Sequence, residues 1–229
     1  MSAEARRREY LNALDIDLYT LRGRAADEIV PDAPDASPMS ASALDWAGLR
    51  EAVATCQLCT LHETRTQTVF GVGNPAADWM IIGEAPGQEE DRRGEPFVGR
   101  AGKLLDEMLR SLGLDRESVF IANILKCRPP NNRDPAADEA AACRSYLERQ
   151  IDLVSPRIIL AVGRIAAQQL LGSDEPVGRM RGRKHLLGDR GLPVVVTYHP
   201  AYLLRSPSQK RKAWQDLVLA KRAFRDGAA

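Results

Sequence analysis

Four short apolar runs alternate with segments of helical periodicity through most of this chain. The runs fall at residues 78–83, 119–125, 157–162 and 193–198, and the helical segments at 101–112, 135–153, 164–171 and 207–224. Apolar strands that alternate with helices are typical of a parallel sheet covered on both faces. We therefore predict an α/β protein, a three-layer α/β/α sandwich around a central four-stranded parallel sheet. The Gly- and Arg-rich segment between 177 and 192 should form a hairpin or loop over one edge.

The first part of the chain has a different character. Residues 1–24 carry an amphipathic helical pattern, whereas residues 25–42 are rich in Ala, Pro, Asp and Ser and have too few large apolar side chains to offset the entropy lost on ordering. Such a composition indicates a flexible linker. We divide the chain into an amino-terminal helix with its linker, 1–46, and one domain, 47–229. The helix is either a docking element for a partner protein or a piece that packs on the domain, and the sequence does not choose between them.

Composition excludes some classes of protein. The 44% share of apolar residues is enough for one sizeable core. No run approaches the ~18 apolar residues of a membrane span, and a signal-peptide pattern is missing. We expect a monomer in the cytoplasm with no membrane attachment.

The first apolar run leads into a stretch rich in Gly, Pro and acidic residues at 83–102. Glycines there allow the backbone to approach a ligand closely, Glu84 and Glu90 offer carboxylates, and Phe97 offers an aromatic face. Proteins of the α/β class bind ligands just beyond the carboxyl ends of their strands. A loop that only reversed the chain would need far less, so we predict a functional site here.

Two polar residues follow other strands of the predicted sheet. Asn123 lies near the end of the second apolar run, and His199 comes directly after the fourth. Because parallel strands place their carboxyl ends at one edge, both should face the 83–102 loop. An amide, an imidazole, an aromatic ring and carboxylates at one edge would form a credible pocket. A single His is more often structural, but its position at this edge favours a functional one.

The four cysteines form the second informative set: Cys56, Cys59, Cys127 and Cys143. A cytosolic protein rarely keeps structural disulfides, so metal binding is the better interpretation. Four thiolates suit either tetrahedral zinc or an iron–sulfur cluster, and the spacing alone divides these two poorly.

Positive charge is concentrated in one part of a chain whose net charge is only +1. Between residues 176 and 212, Asp189 is the one acidic residue and nine residues are basic: Arg179, Arg181, Arg183, Lys184, Arg190, Arg205, Lys210, Arg211 and Lys212. This indicates a basic face for an anionic partner, against the alternative of an ordinary solvated surface.

Taken together, these motifs resemble those of the family 4 uracil-DNA glycosylases, in the uracil-DNA glycosylase superfamily. The matching positions are residues 83–87, Glu90, Asp91, residues 96–102, Asn123 and residues 199–204. The resemblance covers about residues 55–224 and leaves the amino-terminal extension outside. It implies an enzyme that turns uracil out of DNA and hydrolyses its N-glycosidic bond. It also implies that the four cysteines hold a 4Fe–4S cluster.

The resemblance also suggests a role for each residue of the pocket. Phe97 would stack on the everted base, the amide of Asn123 would pair with its O4 and N3–H, and the backbone at Gly83 and Ala85 would help to hold it. A hydrogen bond from His199 to uracil O2 would strengthen as the bond to the sugar breaks.

The water-activating group is less well defined by the resemblance. Better-studied relatives in the superfamily carry Asp at the position of Ala85, which leaves Glu84 or Glu90; we favour Glu84. The basic segments, with Arg183, Lys184 and Arg205, should contact phosphates. Leu203 or Leu204 would fill the space left by the everted base.

Three alternatives remain. A covalently uracil-trapping relative has Gln in place of Ala85 and a His in an inserted loop, and residues 127–143 contain no His. A non-catalytic iron–sulfur DNA-binding protein would bind without releasing uracil. A nucleotide-dependent oxidoreductase is disfavoured because no G-x-G-x-x-G follows the first strand.

Overall fold

A computed structural model describes residues 41–188 and 191–227 of the chain. The predicted amino-terminal helix and nearly all of the predicted linker lie outside these residues. Ala41 and Leu44 are already packed in the hydrophobic core, immediately before the first α-helix. That helix is capped by Asp45, whose side chain accepts a hydrogen bond from Gly48 N at 2.8 Å.

Six strands and eight α-helices make up the described residues. The strands are β1 (Val72–Gly73), β2 (Trp79–Gly83), β3 (Phe120–Asn123), β4 (Ile158–Val162), β5 (Lys184–Leu187) and β6 (Leu192–Thr197). The helices are α1 (Trp46–Thr55), α2 (Gln88–Arg93), α3 (Arg100–Leu112), α4 (Ala137–Val154), α5 (Arg164–Leu171), α6 (Val177–Met180), α7 (Pro200–Arg205) and α8 (Lys210–Asp226). Short 3-10 turns lie at Ala41–Ala43, Thr60–Glu63, Pro130–Asn132 and Pro207–Gln209.

The sheet has the strand order β1-β3-β2-β4-β6-β5. Its four central strands, β3, β2, β4 and β6, are mutually parallel, which confirms the predicted parallel core. The predicted number of strands was too small, because β1 and β5 add antiparallel edges. β1 has only two residues, and the residues of β5 alternate between exposed and half-buried. Neither strand therefore forms the apolar run by which the buried strands were identified.

Helices cover both faces of the sheet, as the predicted sandwich requires. Along β2, Met80 and Ile82 pack into one core with residues of α1 and α4, while Trp79 and Ile81 pack into a second core with residues of α3 and α8. This alternation follows from the period of two residues in a strand. None of the helices within the described residues is long and apolar enough to cross a bilayer.

The register of the strands decides which residues meet at the carboxyl edge. Gly83 at the end of β2 is opposite Asn123 at the end of β3, and Val162 at the end of β4 is opposite Thr197 at the end of β6. The loops that leave this edge after β2 and β6 contain the helices α2 and α7, and α6 lies in the connection between α5 and β5. With four to six residues each, these helices are too short to give a periodic signal in the sequence.

Candidate active site

A cavity of about 760 Å³ opens at the carboxyl edge of the parallel strands. Its lining contains the predicted pocket residues Glu84, Ala85, Glu90, Phe97, Asn123 and His199. It also contains Asn132, Arg164, Tyr198, Tyr202 and Arg205. The structure therefore brings together side chains that lie more than 100 positions apart in the sequence, as the topology of the sheet predicted.

His199 is held between the end of β6 and the start of α7. It is the N-cap of α7, and its Nδ1 accepts a hydrogen bond from Ala201 N at 3.1 Å. Because Nδ1 is an acceptor, the neutral ring carries its proton on Nε2, which becomes a donor. Burial lowers the pKa of His199 to about 4, with a further lowering from Arg205 and an opposing effect of Glu90. The imidazole is therefore a neutral hydrogen-bond donor at physiological pH.

Asn123 supplies an unpaired polar group to the same cavity. Its side chain is 2% exposed, and Oδ1 has no hydrogen-bond partner within the described residues. A buried amide oxygen without a donor costs free energy of about 1–3 kcal/mol, so such groups are rare unless a ligand satisfies them. The arrangement is what a ligand with an N–H group would require.

Phe97 closes one side of the cavity, and its ring stacks on His199 with 5.6 Å between centroids and 30° between planes. Its backbone has a positive φ of 55°, which is unusual for a bulky residue. The conformation is held by Arg116, whose guanidinium donates to the carbonyl oxygens of Phe97 at 3.2 Å and Pro96 at 2.6 Å. Arg116 was not predicted, because its partners lie far away in the sequence and no local pattern marks it.

Gly83 is required by close packing. A Cβ atom at Gly83 would lie 2.5 Å from Asn123 Oδ1 and 2.5 Å from Phe97 Cζ. Any side chain here would therefore displace either the amide or the ring. The absence of a side chain at Gly83 thus lets the amide of Asn123 and the ring of Phe97 lie close together. The contact predicted between the backbone of Gly83 and a bound base stays a prediction.

The two carboxylates of the loop have different surroundings. Glu90 Oε1 accepts hydrogen bonds from Val98 N at 3.0 Å and Gly99 N at 3.1 Å, which fixes the loop to the start of α3. Glu84 follows β2 directly and is partly buried in the cavity wall. Burial, with a smaller effect of Asp134, raises the pKa of Glu84 to about 7, and Arg164 opposes this shift. Glu84 can therefore exchange a proton near neutral pH, whereas Glu90 has a structural task.

The residues predicted to contact DNA divide into two groups. Arg205 is exposed and lines the cavity, and Arg183 and Lys184 are exposed at the start of β5. Arg183 forms a solvent-exposed ion pair with Glu175 at 2.8 Å, which water and salt weaken. Leu203 is only 1% exposed and packs in the core, so its predicted contact with DNA is ruled out by burial. Its neighbour Leu204 is 38% exposed and takes its place as the candidate.

Arg181 belongs to the basic segment but points its charge inwards. Its guanidinium pairs with Asp216 at 2.8 Å and donates to Lys212 O at 2.6 Å. Asp216 is fully buried and also accepts from Thr197 Oγ1 at 3.0 Å. This pair supports the end of β6 next to His199 rather than adding to the basic face.

The four cysteines surround a second, small pocket of about 10 Å³, which we call the cysteine pocket. Cys56 follows α1, Cys59 begins the next turn, Cys127 comes after β3 and Cys143 lies on α4. Arg65 Nη1 donates to Cys127 Sγ at 3.1 Å, and Lys126 also lines the pocket. Arg65 and Lys126 were not predicted.

The chemistry of this donor set fits a thiophilic metal centre. All four thiols are free, and burial raises the pKa of Cys59, Cys127 and Cys143, the last to about 11. Such thiols lose their protons only when positive charge is supplied, as a bound metal does. Within the described residues, no group of three or more His, Cys, Asp or Glu side chains is arranged to hold a single metal ion.

Comparison with known proteins places this geometry in a family. Residues 70–218 match the family model of the Uracil DNA glycosylase superfamily. The Type-4 uracil-DNA glycosylase of Archaeoglobus fulgidus is 45% identical over 170 residues, which cover 72% of this chain and 85% of the relative. That of Thermotoga maritima is 45% identical over 175 residues, covering 75% and 90%.

A Type-5 uracil-DNA glycosylase of Thermus thermophilus is more distant, with 30% identity over 149 residues that cover 57% of this chain and 68% of the relative. The higher identity and coverage are on the type-4 side, in agreement with the four cysteines and the cavity motifs. The chain therefore belongs to the uracil-DNA glycosylase superfamily and, within it, to the type-4 family.

Proposed function

We propose that this protein is a uracil-DNA glycosylase that turns uracil out of DNA and hydrolyses the bond between the base and its sugar. The products are free uracil and an abasic site. The observation that carries the proposal is the unpaired, buried Oδ1 of Asn123 in a cavity shared with the Nε2–H donor of His199. These two groups match the N3–H donor and the O2 acceptor of uracil, which lie next to each other on the base.

Recognition of the base depends on the amide of Asn123 and the ring of Phe97. Uracil N3–H would donate to Oδ1, and the amide nitrogen would donate to uracil O4, while Phe97 covers one face of the base. Cytosine has an amino group at position 4 and no proton on N3. It would leave both sides of the amide unpaired in a buried site, at a cost of about 1–3 kcal/mol for each group.

Bond cleavage places negative charge on uracil O2 and positive charge on the sugar. The neutral His199 donates to O2 through Nε2, and this hydrogen bond becomes stronger as charge develops. Because the pKa of His199 is about 4, Nδ1 stays unprotonated near neutral pH. It therefore continues to accept the hydrogen bond that caps α7. The ring is thereby preorganised to stabilise the transition state.

Attack by water requires a group that can orient it or take its proton. Glu84 has a carboxylate in the cavity wall that makes no hydrogen bond or ion pair to other described residues, and its raised pKa suits a general base. Glu90 is bound to two backbone N–H groups of the loop. We therefore assign the water to Glu84, and give Glu90 the task of fixing Phe97 and the loop around it.

This assignment predicts the pH dependence. The rate constant for uracil release should rise between about pH 6 and pH 8, because the ionised form of Glu84 gains population as the pH passes its pKa of about 7. Glu84→Gln should remove this rise and lower the rate about 10²-fold or more. Single-turnover measurements across the pH range test this, with Glu90→Gln as the comparison that keeps the slope. An unchanged slope in Glu84→Gln would assign the ionisation elsewhere.

The DNA backbone is expected to contact Arg183, Lys184 and Arg205 around the cavity mouth. Contacts of this kind bind phosphates without regard to sequence and weaken with added salt. Leu204 would fill the gap in the stack left by the everted base. The expected monomeric state and cytoplasmic location, and the docking of the amino-terminal helix to a partner, stay predictions.

We also propose that Cys56, Cys59, Cys127 and Cys143 hold a 4Fe–4S cluster, which the resemblance to family 4 implies. When bound, the cluster would crosslink the end of α1, the loop after β3 and α4 through its cysteine ligands. The positive charges of Arg65 and Lys126 would offset the charge of the thiolates. No catalytic step is assigned to it.

Cys127→Ser is expected to abolish the visible absorbance of the protein, to lower its iron content and to reduce its thermal stability. The reason is that one of four ligands is lost at the point where the loop after β3 is attached. Iron analysis, absorbance and a melting curve measure this, and Ser118→Ala, outside the cysteine pocket, serves as the control. A stoichiometry of one zinc with no iron would contradict the cluster.

The decisive experiment for the function is incubation of the purified protein with a uracil-containing oligonucleotide, in single- and double-stranded form. We expect free uracil in the supernatant and strand cleavage at the uracil position after alkali treatment. A thymine oligonucleotide of the same sequence should stay intact. Binding to the uracil oligonucleotide without release of uracil would instead indicate a non-catalytic or covalently trapping protein.

A further inference from the structure

Lys126 is a fully buried lysine between the active-site cavity and the cysteine pocket. Its side chain is 1% exposed, and its Nζ donates to Asn123 O at 2.8 Å and to Gln150 Oε1 at 2.6 Å. No carboxylate within the described residues forms an ion pair with it. Burial of an ammonium group costs free energy unless hydrogen bonds or an opposite charge compensate it. A lysine buried at this position therefore calls for a functional explanation.

The two contacts connect Lys126 to the backbone of Asn123, the proposed recognition residue, and to Gln150 on α4. Asn123 is the last residue of β3 and is paired with Gly83 of β2, and the next residue, Ile124, still donates its N–H to Gly83 O at 3.0 Å. Gln150 on α4 in turn donates to Phe70 O at 2.9 Å. The backbone of Asn123 is thus fastened to α4 through Lys126 and Gln150, in addition to its pairing with β2.

Lys126 also lies next to the predicted cluster site. It lines the cysteine pocket together with Cys127 and Cys143. Only three residues separate the recognition residue Asn123 from the metal ligand Cys127. One side chain therefore joins the predicted cluster site to the residue that reads the base.

We propose that Lys126 is a positioning residue for base recognition, which holds the backbone of Asn123 so that its amide meets the edge of uracil. This inference rests on the proposed function. Without the ammonium group, the carbonyl of Asn123 loses the donor that Lys126 supplies, and the position of the amide is then fixed only by the pairing of β3 with β2. A misplacement of about 1 Å in such a group costs about 10²-fold in rate, even when no contact to the substrate is removed.

The test uses Lys126→Met, which keeps the length of the stem but cannot donate. We expect the rate constant for uracil release to fall about 10- to 100-fold, with iron content, visible absorbance and affinity for thymine DNA close to those of the wild type. Lys221→Met is the matched control, because Lys221 Nζ also donates to a backbone carbonyl, Leu112 O at 3.0 Å, at the end of α3. This control should keep the wild-type rate.

A double-mutant cycle separates positioning from a general loss of structure. The measured quantity is the preference for DNA with uncleavable 2′-fluoro-2′-deoxyuridine over the matched thymine DNA. Lys126→Met should lower this preference about tenfold in the wild-type background and leave it unchanged in the Asn123→Ala background, because there is no amide left to position. Equal effects in the two backgrounds, or none in either, would overturn the inference.

If Lys126→Met does not fold, Lys126→Gln takes its place in the same cycle, since its side chain stays polar but is shorter and carries no charge. The result is separable from the fate of the proposed function. If the wild type releases no uracil, the proposed function is wrong. If the wild type releases uracil and Lys126→Met does so at the same rate, only the role of Lys126 is wrong.

Discussion

Replacing His199 by alanine should lower the rate constant for uracil release about 10²- to 10³-fold, or roughly 3–4 kcal/mol, while the protein stays folded. The expected loss is large because, in the proposed mechanism, the Nε2–H of the neutral ring donates to the oxygen on which charge develops. Single-turnover kinetics with excess enzyme measure the chemical step directly, and circular dichroism checks the fold.

The effect of His199→Ala should be of similar size at about pH 6 and pH 8, since the pKa of about 4 keeps the ring neutral throughout this range. His185→Ala is the matched control. Nε2 of His185 forms a hydrogen bond with Met180 O at 2.6 Å, and His185 is not part of the cavity lining. A near-normal rate in His199→Ala, with His185→Ala also normal, would remove the imidazole from the mechanism.

The second large effect is expected for Asn123→Ala, which should lower the rate of uracil release about 10²- to 10³-fold. The everted base would keep its stacking on Phe97 but would lose the partners of N3–H and O4 in a buried site. The preference for uracil over cytosine should fall by a similar factor, because the amide is the group that we propose distinguishes the two bases. Competition between the two oligonucleotides measures this.

Asn74→Ala provides the comparison for that experiment. Asn74 is also an asparagine next to a strand, but its Oδ1 accepts a hydrogen bond from Ala76 N at 2.9 Å and it lies in the turn between β1 and β2. The Asn74→Ala variant should release uracil at the wild-type rate. If Asn123→Ala kept its discrimination against cytosine, recognition would have to reside in the backbone of the loop instead.

The sequence was sufficient for the features that leave a local pattern. The four parallel strands are continuous apolar runs, and Asn123 and His199 follow two of them, so the edge at which they meet could be predicted from topology. The edge strands β1 and β5 could not, because one has two residues and the other alternates in exposure.

The features that were missed depend on contacts between distant residues. Arg116 holds Phe97 from 19 positions away, and Lys126 is fastened to Gln150, 24 positions away. The residues next to Arg116 and Lys126 in the sequence do not indicate these long-range contacts. The choice between Leu203 and Leu204 depended on which side of α7 faces the core, and six residues give too little periodicity to decide that from sequence.

The hydrogen bond from Ala201 N to His199 Nδ1 makes the imidazole part of α7. The same short helix bears Leu204 and Arg205, the side chains predicted to grip the DNA. A shift of this helix on engagement of the strand would carry the catalytic ring with it. We therefore expect strand capture and bond breaking to be mechanically linked through this one short helix, and a DNA strand that fails to seat α7 would also leave the ring out of alignment.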